Sequence, residues 1–193
     1  MIQSSQKTRE YAIFATLSAF SAVFQLFHVG FQTQWGMWID IVGVSWIVAF
    51  FLFGIRGGLI VATVGSIIIT IIAPDTWLGA LAKFLATVPM ILIPFFLLSI
   101  SKKKIENLRN IPLMIISIIL AILLRGVIMF CYNYFFALHI WIPGKTTEQL
   151  LAIFPWYIIV GVNAVQGILE VVLAWVLVFK FKLSRFARWE ESK

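Results

Sequence analysis

The chain has 193 residues, of which 62% are hydrophobic and only 12% charged, with a net charge of +7 and one cysteine. A soluble domain of this size needs a wettable surface that this composition does not supply, so the expected class is an all-α integral membrane protein. Its length leaves no room for a sizeable soluble domain, so residues 1–193 read as a single transmembrane domain. Cys131 alone excludes an intramolecular disulfide and a cysteine-rich metal site.

Residues 1–10 are polar, and no short apolar region with a small-residue cleavage site precedes the first apolar run, so no signal peptide is expected. Runs of about 20 apolar residues, the length a helix needs to cross a bilayer, predict six transmembrane helices. They fall near 11–29, 38–54, 59–74, 79–99, 111–138 and 152–181. The breaks are GFQTQWG (30–36), IRGG (55–58), PDTW (74–77), SKKKIENLRN (101–110) and HIWIPGKTTEQ (139–149), each punctuated by turn-forming or polar residues. Span one, with YAIFATLSAFSA, places Ala12, Ala15, Ala19 and Ala22 at helical spacing beside Ser18. Ala15 and Ala19 form a small-x-x-x-small pattern, which lets another helix backbone approach closely. The pattern alone does not say whether that helix belongs to this chain or to a partner. Span three is short and contains Gly65. Span six contains GVNAVQGILEVV, in which Asn163, Gln166 and Glu170 fall within roughly 60° of one another on one helix face.

Six spans put both termini and the loops at 55–58 and 101–110 on one side. That side carries twelve Lys and Arg residues, among them Lys7, Arg9, Arg56, Lys102, Lys103, Lys104, Arg109, Lys180, Lys182 and Arg185, and the other carries only Lys145. The asymmetry predicts cytoplasmic termini in the plasma membrane. It also explains the basic charge through topology and anionic headgroups, so no nucleic acid is expected. Trp35, Trp38, Trp77, Trp141 and Trp156 lie near the outer ends of spans and read mainly as an interfacial aromatic belt.

Four ionisable residues remain inside the spans: Asp40, Lys83, Arg125 and Glu170. Each costs on the order of 3 kcal/mol near a helix centre unless it faces a partner or water. At a rise of about 1.5 Å per residue, Asp40, Lys83, Arg125, Asn163 and Gln166 come out roughly 20–24 Å above the cytoplasmic end of their spans, and Glu170 about 14 Å. Asn133 sits near the rim of that layer. One reading pairs Arg125 with Glu170 and Asp40 with Lys83, and the pairs merely fix helix packing. The other is a polar pocket open to the outside and walled by aromatic and aliphatic groups, suited to a small planar or amphipathic ligand. Two further function classes have thinner support. A proton-coupled transporter titrating Asp40 or Glu170 would be short and lacks an internal repeat. An intramembrane enzyme would have only His28 and His139 to work with, without H-E-x-x-H or G-x-S-x-G, so no catalytic residue, metal or cofactor is expected.

These features together resemble the substrate-binding S components of energy-coupling-factor (ECF) vitamin transporters, which are six-helix membrane proteins with cytoplasmic termini and a first-helix A-x-x-x-A motif. The likeness is greatest to the riboflavin branch. WIDIVGVSWIVAFFLFGIRGGLIVATVGSIIIT looks like that branch's second and third helices, and YNYFFALHIWIPG like the end of its fifth. WYIIVGVNAVQGILE looks like its sixth, with a family pattern near F-N-x-x-K-G that Asn163 and Gly167 match. Gln166 stands where that branch usually has lysine, and Val162 where it has phenylalanine. The resemblance implies capture of riboflavin or a related flavin as transported ligand, with partners in a membrane T component and two cytoplasmic ATPases. It implies substrate contacts at Asn133 and Asn163, with Gln166, Asp40, Lys83 and Arg125 in the same pocket, Glu170 and Gly167 supporting, and Ala15 and Ala19 against the T component. The absence of a G-x-x-x-x-G-K-[ST] phosphate loop fits that division of labour.

Overall fold

The computed structural model describes residues 2–72 and 77–187, with side chains from Lys7 onward. Helix α1 (Ile2–Leu26) leads into a two-stranded hairpin, β1 (Gly30–Gln32) and β2 (Trp38–Asp40), followed by α2 (Val42–Ile72) and α3 (Trp77–Ile100). A 3-10 turn (Ile105–Arg109) precedes α4 (Ile111–Tyr132), which runs through a π-helical turn (Asn133–Ala137) into α5 (Leu138–Trp141). Short α6 (Thr147–Ile153) and long α7 (Trp156–Trp175) follow, with a second π turn (Val176–Lys180) and a 3-10 turn (Leu183–Phe186) closing the described chain.

Among the described residues, four helical runs are long and apolar enough to cross a bilayer: Val42–Ile72, Trp77–Ile100, Ile111–Trp141 and Trp156–Lys180. The first of them is not straight. Gly54, at φ 79° and ψ −168°, interrupts it in a region of backbone space that is essentially glycine's own. Beyond Gly54 the helix folds back on its first half. A Cβ added at Gly58 would lie 2.8 Å from the Cβ of Phe50, and one at Gly65 would lie 2.8 Å from Trp46 Nε1. On a straight helix residues 46 and 65 would be about 28 Å apart. The expected break at IRGG is therefore a single glycine, and the residues around it remain helical.

The first half of α2 is the centre of the molecule. Trp46, Ile47, Ala49 and Phe50 are fully buried, as expected of a helix apolar on every side. The two halves of α2 pack on each other and the helix as a whole packs against α1, α3 and α7, with α4 between α3 and α7. The outer helices keep large apolar side chains exposed, for example Ile119, Leu123 and Val127 on α4. In water such a surface would be a liability, and in lipid it is the natural boundary.

Several expected boundaries move. The stretch 30–36 is largely a hairpin, with Phe31 opposite Ile39 and Gln32 opposite Trp38, so residues 38–40 form a strand and the helix begins at Val42. The expected loop 139–149 ends in the first turn of α6, where Thr146 and Gln149 form a reciprocal capping box. The last long helix starts at Trp156 after Pro155, not at residue 152. The break at 74–77 falls on residues 73–76, which lie outside the described chain, up to Trp77.

Candidate ligand-binding site

A cavity of about 360 Å³ opens between the hairpin and helices α1, α3, α4, α5 and α7. Its volume is at the small end of the range that encloses drug-sized ligands. Asp40, Lys83, Arg125, Asn133, Asn163 and Gln166, from four separate segments, all contribute to its wall.

Each is held by local chemistry. Asp40 ends β2, where its Oδ1 accepts from the backbone N–H of Val42 at 3.0 Å and caps α2, while Oδ2 pairs with the Lys83 ammonium of α3. Arg125 of α4 is 1% exposed and donates from Nη1 to Glu170 Oε2 at 2.9 Å and from Nε to Asn163 Oδ1 at 3.4 Å. Gln166 donates from Nε2 to Glu170 Oε1 at 3.1 Å. Glu170, itself 1% exposed, is outside the wall and beneath it, receiving one donor on each oxygen. Both ion pairs considered from the sequence are therefore present, and three of their four members also face the cavity.

Two glycines make room for the buried pair. A Cβ at Gly43, on the first turn of α2, would lie 2.5 Å from Glu170 Oε1, and one at Gly167 would lie 3.3 Å from Arg125 Nη1. Gly167 is thus behind the wall, where it lets the guanidinium lie against α7.

The amides show a common pattern. Asn133 Nδ2 donates to the Met129 carbonyl at 2.7 Å and Asn163 Nδ2 to the Ile159 carbonyl at 2.9 Å, each one helical turn back. With the amino groups so used, the side-chain oxygens of Asn133 and Gln166 enter no hydrogen bond among the described residues and remain acceptors. Lys83 and Arg125 supply donors. The wall can therefore satisfy a ligand that carries both N–H or O–H groups and acceptor atoms.

The π turn at Asn133 shapes the wall. One residue is inserted into the helix there, so Met129 and Asn133 are followed in the cavity lining by Leu138, Trp141 and Ile142, while Phe135, Phe136 and Ile140 are exposed outside. No pattern in NYFFALHIW announced that insertion.

Some wall residues were not anticipated. Gln25 of α1 reaches the cavity, and its signal was available as a lone amide late in an apolar run. Trp35, Trp38 and Trp141 line the cavity, as does His28, whose ring lies 4.9 Å from that of Trp38. For Trp35, Trp38 and Trp141 the belt reading is thus incomplete, although Trp141 is 49% exposed, much like Trp77 at 44% and Trp156 at 56%, which do not line the cavity. On α1, Phe14, Ser18, Ser21 and Ala22 are buried, and Ala12, Ala15 and Ala19 are exposed beside them.

No protein-family model matches the sequence, and no curated protein matches it. Among solved structures, the S component of a bacterial ECF transporter aligns with a TM-score of 0.65 over 91% of this chain and 99% of that one, at 24% identity. The chain shares that fold.

Proposed function

We propose that this chain is the substrate-capture subunit of an ECF-type importer and that its ligand is riboflavin or a closely related flavin. The observation that carries the proposal is the cavity in which Asn133, Asn163 and Gln166 meet Lys83 and Arg125 beneath Trp35, Trp38 and Trp141. A flavin matches such a wall. Its tricyclic ring is flat and apolar, one edge alternates carbonyl acceptors with an N–H donor, and its ribityl chain is rich in hydroxyls. Arg125, bonded to Asn163 and to the carboxylate that also holds Gln166, brings a positive charge into the region where the riboflavin branch usually has a lysine on the sixth helix.

In this reading the chain crosses the membrane six times, with α1 and the two halves of α2 as the first three crossings and both termini cytoplasmic. The cavity then opens outward, and Ala15 and Ala19 present a small-residue face to the T component. Two cytoplasmic ATPases supply the energy that this chain has no phosphate loop to harvest.

The test is a titration of purified protein with riboflavin, followed by quenching of tryptophan emission. Asn163→Ala should weaken binding by about 1–3 kcal/mol, the cost of leaving a buried polar partner unsatisfied, or roughly 5- to 150-fold in Kd. An unchanged Kd in that variant would remove α7 from the site.

A further inference from the structure

We propose that the groove beside the first turn of α4 binds an anionic phospholipid. This rests on the membrane placement proposed above, in which that end of α4 meets the cytoplasmic leaflet, and it concerns a site separate from the ligand cavity.

The groove has a volume of about 320 Å³ and is lined by Lys103, Asn107, Asn110, Pro112, Leu113 and Ile116. Its position is set by a fixed loop. At the end of α3, Lys102 adopts a left-handed conformation (φ 51°) and Lys103 N–H donates back to the Leu98 carbonyl at 2.8 Å, a Schellman-type reversal that turns the chain toward α4. The following 3-10 turn is pinned by fully buried Leu108, whose carbonyl accepts from Trp175 Nε1 at 3.0 Å. Lys103 is thereby held against the start of α4.

The groove is amphipathic along its length. At its polar end, Asn110 uses its side-chain oxygen to cap Leu113 N–H, which leaves its amino group free, and neither that group nor the Lys103 ammonium enters a hydrogen bond or ion pair among the described residues. Both are donors only, so they call for an acceptor-rich, negatively charged group such as a phosphate diester. At its apolar end, Ile116 lies about 9 Å further along α4, and the exposed face continues through Ile119, Leu123 and Val127, each more than half exposed. An acyl chain fits that stripe. Lys102, Lys104 and Arg109 are also exposed around the polar end. A net-negative lipid is favoured there over a zwitterionic one, which would bring its own cation into a basic cluster.

The experiment is native mass spectrometry of the full chain in detergent, with phosphatidylglycerol or phosphatidylcholine added at equal concentration. Phosphatidylglycerol should be retained at least about fivefold better, the ratio equivalent to ~1 kcal/mol for one membrane-facing cation. Lys103→Gln should remove most of that preference, and Lys145→Gln, on the opposite side, should keep it. Asn110→Asp preserves the cap but replaces the donor with a carboxylate oxygen, so it should lose phosphatidylglycerol while remaining folded. Equal retention of the two lipids by the wild type, or wild-type preference in both Lys103→Gln and Asn110→Asp, would overturn the proposal. Displacement of the lipid by millimolar inorganic phosphate would assign the groove to free phosphate instead. Riboflavin quenching in the same samples reads the cavity independently, so loss of one activity does not disguise loss of the other.

Discussion

Glu170→Ala is expected to destabilise the protein by about 3–5 kcal/mol, because it strands the Arg125 guanidinium as an uncompensated charge in the interior. The geometry leaves little means of escape. Both partners are 1% exposed, and the carboxylate is wedged against Gly43, where a Cβ would approach Oε1 to 2.5 Å. It receives Arg125 on one oxygen and Gln166 on the other. Unfolding in detergent, followed by tryptophan emission, measures the loss. Arg125→Met combined with Glu170→Ala should recover much of it, since replacing both members of a buried pair with apolar groups is often close to neutral. The double variant should still fail to bind riboflavin, because the wall then lacks its guanidinium. A single Glu170→Ala variant as stable as the wild type would mean that water in the cavity compensates the Arg125 guanidinium and that Glu170 is not needed to hold it.

On the proposed function, Ala15→Leu with Ala19→Leu is expected to leave riboflavin affinity unchanged and to abolish uptake when the chain is expressed with a T component and ATPases. The two alanines are exposed on α1, beside the inward-facing Phe14, Ser18 and Ser21, so leucine there adds bulk at the helix surface. That bulk meets any helix that relies on close backbone approach across small residues. Paired binding and uptake assays on the same membranes separate the outcomes. Lost binding would mean that this face supports the fold, and intact uptake would mean that the partner docks elsewhere.

Much of the wall was legible before any coordinates, because an apolar run makes a polar residue conspicuous and a fixed rise per residue gives its depth. Asp40, Lys83, Arg125, Asn163 and Gln166 came out at one level, and they share one cavity. Glu170 came out lower, and it lies beneath the wall. What stayed hidden depends on geometry that composition does not encode. Trp38 and Trp141 carry the same sequence signal whether they face lipid or a ligand. The π insertion at Asn133 changes which of Phe136, Leu138 and Ile140 turns inward, without any distinctive residue to mark it. The hairpin is built on strands of three residues, too short for an alternating pattern to stand out. Gly54 was read as the last residue of a span, with a loop at 55–58 after it, when one backbone angle available to glycine suffices to reverse the helix.

The central claim is that the cavity captures a flavin, and the most direct measurement is the optical spectrum of protein purified from cells grown with riboflavin. Flavin absorbance should accompany the protein in near-stoichiometric amount. Tryptophan emission should be quenched, because Trp35, Trp38 and Trp141 line the cavity, and it should recover when the ligand is removed. Colourless protein whose tryptophan emission does not respond to micromolar riboflavin would contradict the claim.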